Sequence, residues 1–237
     1  TSTEAYRQRV IQLGEQPDQV FYVGAIGVEN IKRVPLMSRE ELEESIRFKL
    51  GEKSLLVTYH PVTLEDHTAE DQCRNLLQAL DEFPDYKVIF TLPNSDTDGR
   101  VIIRLINEYV SLYPERCMAI PSLGLRRYLS ALRYVSAVVG NSSSGIIEVP
   151  SFGIPTLDIG DRQKGRIAAE SVWHCDVTWR AIVEGLQKVL SPSWITSARN
   201  AQNPYDKKDT IASIHEIIRT YPLEGLQKKS FYNIYQR

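Results

Sequence analysis

SLLVTY, residues 54–59, decides the fold: it is a short, almost continuously apolar run rich in residues that favour strands. A helical pattern follows, with residues at positions i, i+3, i+4 and i+7: Cys73, Leu76, Leu77 and Leu80. KVIFTL, residues 87–92, is a second run of the same kind. Strands that are apolar on both faces are typical of a parallel sheet covered by helices on both sides. The stretch therefore predicts a strand–helix–strand unit.

The same alternation continues along the chain. Further strands are predicted at residues 117–120, 137–140 and 155–159, with helical patterns between them and a helix from about Val177 to Leu190. Five such strands predict an α/β fold, a Rossmann-like doubly wound parallel sheet. In such sheets, ligands bind beyond the carboxyl ends of the strands.

The two ends of the chain follow another pattern. A helical stretch that ends at Gly14 precedes a predicted strand, VFYV at residues 20–23. A helix is predicted to begin at a capping box, Ser38 with Glu41, and to end at Gly51. A last helix is predicted to carry His215 on its apolar face together with Ile211, Ile214 and Ile218. The position of His215 favours packing in a core or interface.

Composition excludes several classes of function. The 237 residues are 42% hydrophobic and carry a formal net charge of −2, so neither a nucleic-acid partner nor a membrane surface is expected. The three cysteines are scattered and no long apolar run occurs, which predicts a cytoplasmic protein. The chain has no Walker phosphate loop, GxGxxG, GxSxG or HExxH motif, which argues against kinases, dehydrogenases, serine hydrolases and zinc proteases. No cluster has metal-ligand spacing, so no metal is predicted.

The loop GNSSSGIIE, residues 140–148, connects the fourth strand to a predicted helix. Its small, hydroxyl-bearing residues present backbone N–H groups and hydroxyls to an anion at the positive end of a helix dipole. Glu148, one turn into that helix, is placed to accept hydrogen bonds from a ribose. The alternative is a capped turn in which the serines serve only solubility.

Two more polar loops follow the first and fifth strands. His60 lies in TYHPVT (58–63), where an imidazole can donate to a departing phosphate oxygen or relay a proton. Arg162 lies in GDRQKGR (160–166), where a guanidinium can neutralise a diphosphate or hold a sugar. A structural histidine and a solvated turn are the alternatives. Because the three loops follow strands of one parallel sheet, together they predict a sugar-nucleotide site.

The motifs TYHPVT, GNSSSGIIEVPSFGIPT and IGDRQKGR, in that order, closely resemble the C-terminal half of the hydrolysing UDP-N-acetylglucosamine 2-epimerases. NPY from Asn203 and KSFY from Lys229 resemble the end of that family. The similarity runs over nearly the whole chain, and the motifs are specific jointly rather than singly. The related non-hydrolysing epimerases carry a Ser-Gly-Gly loop and an acidic, Thr-rich segment, where this chain has NSSSG and DRQKGR.

The resemblance implies a glycosyltransferase-B-type two-domain fold with substrate between two Rossmann-like halves. It implies that the serines of the loop hold the diphosphate, that the glutamate binds ribose, and that a backbone position after the third strand meets uracil. It also implies that the histidine lies at the phosphates and takes part in catalysis, and that the arginine lies near the phosphates and sugar. The implied site residues are His60 for catalysis and, for binding UDP, Leu123, Ser142, Ser143, Glu148 and Arg162.

The implied reaction eliminates UDP to leave a 2-acetamidoglucal and then adds water, which gives N-acetylmannosamine and free UDP. It requires no metal or redox cofactor. The resemblance also implies a UDP-sugar substrate and a homodimer in the full-length form. The alternatives are a hydrolase that acts on a UDP-2,4-diacetamido sugar, a glycosyltransferase-B-type UDP-sugar transferase, and a stand-alone nucleotide-binding module.

One departure from the family is serious. In the family, the first domain supplies the acid and base carboxylates, and we expect that domain to be missing before Thr1. The sequence also does not begin with Met. Residues 1–35 are expected to be the end of that missing N-terminal domain, and residues 36–190 the UDP-binding domain. Residues 191–237 are expected to form a helix and tail that pack back on the first domain. On this hypothesis the chain binds UDP weakly and catalyses nothing alone.

Overall fold

The computed structural model describes residues 1–62, 68–94, 97–225 and 228–234. The chain divides into two compact units: Val34–Asn203, and Thr1–Arg33 with Pro204–Arg237. The expected boundaries are 1–35, 36–190 and 191–237, so residues 34–35 and 191–203 differ by lying with the larger unit. Trp194 explains this placement, because its ring packs edge-to-face on Trp173 of the same unit, with 5.6 Å between the ring centroids.

Secondary structure alternates as the sequence predicts. The described strands are β1 Ser54–Thr58, β2 Lys87–Thr91, β3 Cys117–Ile120, β4 Ala137–Gly140, β5 Thr156–Ile159 and β6 Val172–Cys175. The described helices are α1 Glu4–Gln12, α2 Ile26–Arg33, α3 Arg39–Ile46, α4 Ala69–Asp81, α5 Thr97–Leu112, α6 Gly124–Ala131, α7 Ser144–Ile147, α8 Trp179–Val189, α9 Pro192–Asn200 and α10 Thr210–Thr220. Of these, α2, β6 and α9 lie outside the predicted elements.

The larger unit is built on one parallel sheet with strand order β3-β2-β1-β4-β5-β6. This confirms the Rossmann-like doubly wound fold. β1 is buried along its whole length, and α4 and α8 contribute to the same apolar core. The strand order reverses between β1 and β4, so the loops after these two strands leave the sheet at its topological switch point. In open α/β sheets, this is where ligands bind.

The smaller unit contains α1, α2 and α10. The predicted strand at residues 20–23 is wrong, because this segment has no regular secondary structure. Its backbone bonds with Thr1, since the N–H of Val23 donates to the Thr1 carbonyl over 3.0 Å. Nε of Arg7 donates a hydrogen bond to the carbonyl of Val20 at 2.6 Å. Thr1 and the side chain of Arg7 do not provide a partner strand, so residues 20–23 form no ladder of backbone hydrogen bonds.

Two further predictions at the chain ends need correction. The capping box of Ser38 and Glu41 is confirmed, but α3 ends at Ile46 rather than at Gly51. The helix stops because Arg47 adopts a left-handed conformation with φ of 54°. The core packing predicted for His215 is wrong, because this residue is exposed on α10. Its packing in an interface stays a prediction. No described helix combines the length and the apolar character needed to cross a membrane.

Candidate functional site

The loops after β1 and β4 are joined by the side chain of Asn141. Its amide oxygen accepts a hydrogen bond from the backbone N–H of His60 at 2.8 Å, and its amide nitrogen donates to the His60 carbonyl at 2.8 Å. The backbone N–H of Asn141 donates to the carbonyl of Thr58 at 3.1 Å. Asn141 is fully buried. The two loops therefore leave the switch point as one bonded structure.

The loop after β5 reaches the same residue. Nη1 of Arg162 donates to the Asn141 carbonyl at 3.0 Å, and Nε2 of Gln163 donates to the same oxygen at 2.9 Å. Gln163 is buried, whereas Arg162 is exposed, so its guanidinium is accessible from solvent. The structure thus brings together the three loops that the sequence singles out.

Gly140 makes the close approach of β4 to β1 possible. Its φ is +131°, and a Cβ at this position would lie 1.9 Å from the carbonyl oxygen of Thr58. Gly145 has a related role, since a Cβ there would lie 2.8 Å from Cγ2 of Thr156. Thr156 also donates to the Gly145 carbonyl at 2.8 Å. The glycines at both ends of the serine loop are therefore needed for it to lie against the sheet.

The helix after the serine loop is shorter than the sequence predicts. α7 has four residues and passes into a 3-10 turn at Val149–Phe152. A single turn has little macrodipole, so the predicted anion site at a helix dipole is not supported in that form. The remaining donors are local: the hydroxyl of Ser143 and the N–H groups of Ser142 and Ser143 have no hydrogen-bond partner among the described residues.

Glu148 ends the same turn and is half-buried. Burial raises the pKa of its carboxyl above 4.5, and the nearby Ser144 side chain acts in the opposite direction. Ser144 also accepts a hydrogen bond from the hydroxyl of Tyr128, at 2.6 Å. The carboxyl is therefore held in a partly desolvated position beside the serine loop.

Leu123 lies apart from the Asn141 cluster. It follows β3, which β2 separates from β1, and precedes α6. Its side chain is only 2% exposed, so it belongs to the core. The contact of its backbone with uracil, which the resemblance implies, stays a prediction. Thr63 and His67, near the end of the β1 loop, lie outside the described residues.

The sequence analysis missed the roles of three polar residues of this region: Asn141, as the residue that joins the loops, and Gln163 and Tyr128. A signal exists for Asn141, because a short amide directly after a buried strand can bond with neighbouring backbone. No local signal exists for Tyr128, whose partner is 16 residues away in the sequence.

A cavity of about 590 Å³ adjoins the ends of β5 and β6. Its lining includes Asp161 and Lys164 from the turn that carries Arg162, and Trp173 from β6. Lys188 covers the face of Trp173, with its ammonium 3.3 Å from the ring centroid. His174 also lines the cavity. Its Nδ1 lies 2.7 Å from the buried carboxylate of Asp158, and this hydrogen bond raises the pKa of His174 above 6.5.

A family model described as UDP-N-acetylglucosamine 2-epimerase matches residues 1–219. The chain belongs to this family. Polysialic acid biosynthesis protein P7 of Escherichia coli is 36% identical to it over 236 residues, which are 99% of this chain and 60% of that protein. The GDP/UDP-N,N'-diacetylbacillosamine 2-epimerase (hydrolyzing) of Campylobacter jejuni is 35% identical over 176 residues, 74% of this chain and 46% of that protein. The chain thus spans about half to three fifths of the length of these relatives.

Two solved structures share the fold. The S. aureus MnaA–UDP co-structure aligns with a TM-score of 0.72 at 16% identity, over 98% of this chain and 61% of that one. The UDP-GlcNAc 2-epimerase from Neisseria meningitidis bound to UDP-GlcNAc aligns with a TM-score of 0.66 at 18% identity, over 92% of this chain and 60% of that one.

Proposed function

We propose that this member of the epimerase family forms the UDP-binding part of a hydrolysing UDP-N-acetylglucosamine 2-epimerase. The whole enzyme would convert UDP-N-acetylglucosamine and water into N-acetylmannosamine and UDP. The observation that carries the proposal is the buried Asn141, which bonds with the loops of His60 and Arg162 at the switch point of the sheet. Motifs that resemble the family's UDP site therefore share one edge of a nucleotide-binding fold.

The geometry suggests a division of roles. The hydroxyl and N–H donors of Ser142 and Ser143 would hold the diphosphate, with the accessible guanidinium of Arg162 neutralising part of its charge. Glu148 would accept hydrogen bonds from the ribose hydroxyls. This arrangement needs no broad basic surface, which is consistent with the net charge of −2.

The proposed reaction begins at the sugar. A base removes the proton from C2, the bond between C1 and the β-phosphate oxygen breaks, and the electron pair forms the C1=C2 bond of the glucal. His60 would donate a proton to the departing phosphate oxygen. Water then adds to the glucal. Its hydroxyl bonds to C1, and a proton bonds to C2 on the face opposite to that from which the first proton was removed. The acid and base carboxylates would belong to the part of the relatives that this chain does not match.

The loop sequences support the hydrolysing branch. NSSSG stands where non-hydrolysing epimerases carry Ser-Gly-Gly, and DRQKGR stands in place of an acidic segment. The relatives from C. jejuni and Legionella pneumophila are both named as hydrolyzing enzymes.

Product analysis in water enriched in oxygen-18 tests the proposal. A full-length enzyme that contains this chain should convert UDP-N-acetylglucosamine into free N-acetylmannosamine labelled at C1, while the 237-residue chain alone should bind UDP without turnover. A UDP-linked product would contradict hydrolysis. Product that forms only with an added acceptor sugar would identify a transferase. Release of N-acetylmannosamine by the chain alone would contradict the need for further carboxylates.

A second substrate is favoured by two of the relatives. The proteins from C. jejuni and L. pneumophila are named for N,N'-diacetylbacillosamine nucleotides and are 35% and 32% identical to this chain. The full-length enzyme should therefore be assayed with both UDP-sugars. A higher kcat/KM for the 2,4-diacetamido sugar would identify that sugar nucleotide as the substrate. The residues proposed to bind UDP would stay the same.

A further inference from the structure

Gln163 and Arg162 donate hydrogen bonds to one oxygen, the backbone carbonyl of Asn141. The distances to this oxygen are 2.9 Å from Nε2 of Gln163 and 3.0 Å from Nη1 of Arg162. Both residues belong to the 3-10 turn Asp161–Gln163, which follows β5. A carbonyl oxygen has two lone pairs, so these two donors occupy its full capacity. The turn after β5 therefore fixes the direction of the Asn141 carbonyl.

This carbonyl shares its peptide plane with the N–H of Ser142. The peptide is trans, so its C=O and N–H point in opposite directions. Because the carbonyl is bonded to the turn after β5, the Ser142 N–H points away from that turn, and it has no hydrogen-bond partner among the described residues. Hydrogen bonds accepted by the oxygen, one of them from a cation, also polarise the amide and strengthen its N–H as a donor. Gln163 thus acts on a backbone donor of the serine loop through one peptide group.

The burial of Gln163 indicates that its donor matters more than its packing. The residue is 2% exposed, and its Oε1 is buried without a hydrogen-bond partner in the part of the chain that the structure describes. Such an acceptor lowers stability relative to an apolar group of the same shape. Arg162 is exposed, and a long exposed side chain samples many rotamers, so it fixes the carbonyl less well than a buried amide does.

We propose that Gln163 is a positioning residue of the diphosphate site: by holding the Asn141 carbonyl, it directs the Ser142 N–H at a phosphate oxygen of the nucleotide. This inference rests on the proposed function, because it requires the diphosphate of UDP to lie at the serine loop. A peptide that is already oriented donates to a phosphate without a further ordering cost, whereas a peptide that can rotate must first be ordered. Gln163 should therefore affect the affinity for the diphosphate and not the affinity for the nucleoside.

NMR titration of the nitrogen-15-labelled 237-residue chain with UDP and with uridine tests the proposal. Two quantities are measured: the chemical shift of the Ser142 amide proton, and the Kd of uridine divided by the Kd of UDP. In the wild type, this proton should move downfield with UDP, as expected for a new hydrogen bond, and stay in place with uridine. Gln163→Met should reduce the downfield shift, lower the Kd ratio by about threefold or more, and leave the Kd of uridine within about twofold.

Gln72→Met is the matched control, because Gln72 is also buried but its side chain bonds elsewhere. It donates to Oγ1 of Thr68 at 3.0 Å and accepts from the Tyr59 hydroxyl at 2.7 Å. Gln72→Met should lower the free energy of unfolding and keep the wild-type Kd ratio. Gln163→Met should do the reverse, with a urea midpoint close to that of the wild type, because methionine removes the buried Oε1 together with the donor.

Two further variants separate the backbone donor from the hydroxyl. Ser142→Ala retains the backbone N–H, so Gln163→Met added to it should lower the Kd ratio by the same factor as in the wild type. A smaller factor in that background would assign the effect to the Ser142 hydroxyl and overturn the inference. Gln163→Leu removes the same donor in a branched side chain and should give the same ratio as Gln163→Met.

Failure of this inference is distinguishable from failure of the proposed function. A wild-type chain that does not bind UDP would overturn both. If the wild type binds UDP while the Ser142 amide proton stays in place, the N–H is not a phosphate donor and only this inference fails. An unchanged Kd ratio in Gln163→Met, or equal weakening of UDP and uridine, would overturn the positioning role and leave the proposed UDP site intact.

Discussion

Asn141 and His60 hold each other by two hydrogen bonds, each 2.8 Å long, between the side-chain amide of one and the backbone of the other. β1 and β4 have ended at this point, and the amide continues their pairing with the same donor and acceptor that a backbone peptide would supply. The loop that bears His60 is thereby fixed to the loop that bears the serines.

Asn141→Asp tests the importance of this pairing. The aspartate keeps an acceptor for the His60 N–H but has no donor for the His60 carbonyl, and at neutral pH it places a charge in a fully buried position. We expect the free energy of unfolding to fall by about 2–3 kcal/mol in urea denaturation. Part of the loss should be regained at acidic pH, where the carboxyl is neutral.

Asn200→Asp is the matched control for this variant. Asn200 also donates its side-chain amide to a backbone carbonyl, that of Thr196 at 3.1 Å, but at an exposed position. Loss of this hydrogen bond should lower the free energy of unfolding by less than about 0.5 kcal/mol. An equal loss in the free energy of unfolding for both variants would show that the hydrogen bonds between Asn141 and His60 stabilise the fold no more than an exposed side-chain bond does.

Gly140→Ala tests the close approach of β4 to β1. The added Cβ would lie 1.9 Å from the Thr58 carbonyl oxygen, so the two strands must separate. We expect a loss of roughly 3 kcal/mol or more in the free energy of unfolding. Gly124→Ala is the control, because Gly124 also has a positive φ, of +64°, but open space around it. It should cost about 1 kcal/mol, and a similar loss for both variants would contradict the steric explanation.

The sequence predicts the parts of this fold that repeat a strong local pattern. β1 to β5 are mostly apolar runs, and helices follow the first four, so their positions and parallel pairing could be inferred. β6 could not, because its VWHC run carries the exposed His174 on an edge strand. The strand expected at residues 20–23 has the right composition, but strand formation requires a partner, and composition does not report one.

The candidate site divides in the same way. His60, the serine loop and Arg162 follow strands, and the shared polarity of a parallel sheet is enough to predict that they meet. The contacts that hold them depend on side-chain directions that no local pattern encodes. Asn141 bonds with His60, which is 81 residues away, and Tyr128 bonds with Ser144 from another helix.

Replacing both Ser142 and Ser143 by Ala should weaken UDP binding by about 1–3 kcal/mol, the scale of charge-assisted hydrogen bonds to a diphosphate. Calorimetry with UDP measures the change. Ser111→Ala serves as the control, because it removes an exposed helical hydroxyl that donates to the Glu108 carbonyl at 2.6 Å. Unchanged UDP affinity in the double variant would mean that the serines only complete a turn.

His60→Ala should impair turnover more than nucleotide affinity. The Asn141 bonds involve the backbone of His60, so the substitution leaves them in place while it removes the imidazole. In a full-length enzyme that contains this chain, kcat should fall by about 100-fold or more, and the Kd of UDP should change by less than about threefold. His215→Ala, at an exposed position, should leave both unchanged. A wild-type rate in His60→Ala would exclude the leaving-group role.

The pair of His174 and Asp158 should make stability depend on pH. The hydrogen bond that His174 donates to the carboxylate of Asp158, a residue that is 1% exposed, raises the pKa of His174 above its usual 6.5. The folded state therefore binds the proton more tightly than the unfolded state. The stabilisation from this proton is fully present below about pH 6.5 and is lost as the pH rises through the higher pKa of the folded state.

His174→Gln isolates this contribution, because glutamine can still donate to the Asp158 carboxylate but does not titrate. The difference in free energy of unfolding between wild type and variant should be largest at acidic pH and shrink above neutrality. Its size should stay below about 1 kcal/mol, since 47% of the His174 side chain is exposed and solvent screens the pair. Urea denaturation from pH 5.5 to about 8.5 covers the window set by the raised pKa. A difference that is constant, or that grows with pH, would contradict the assignment of the proton to this pair.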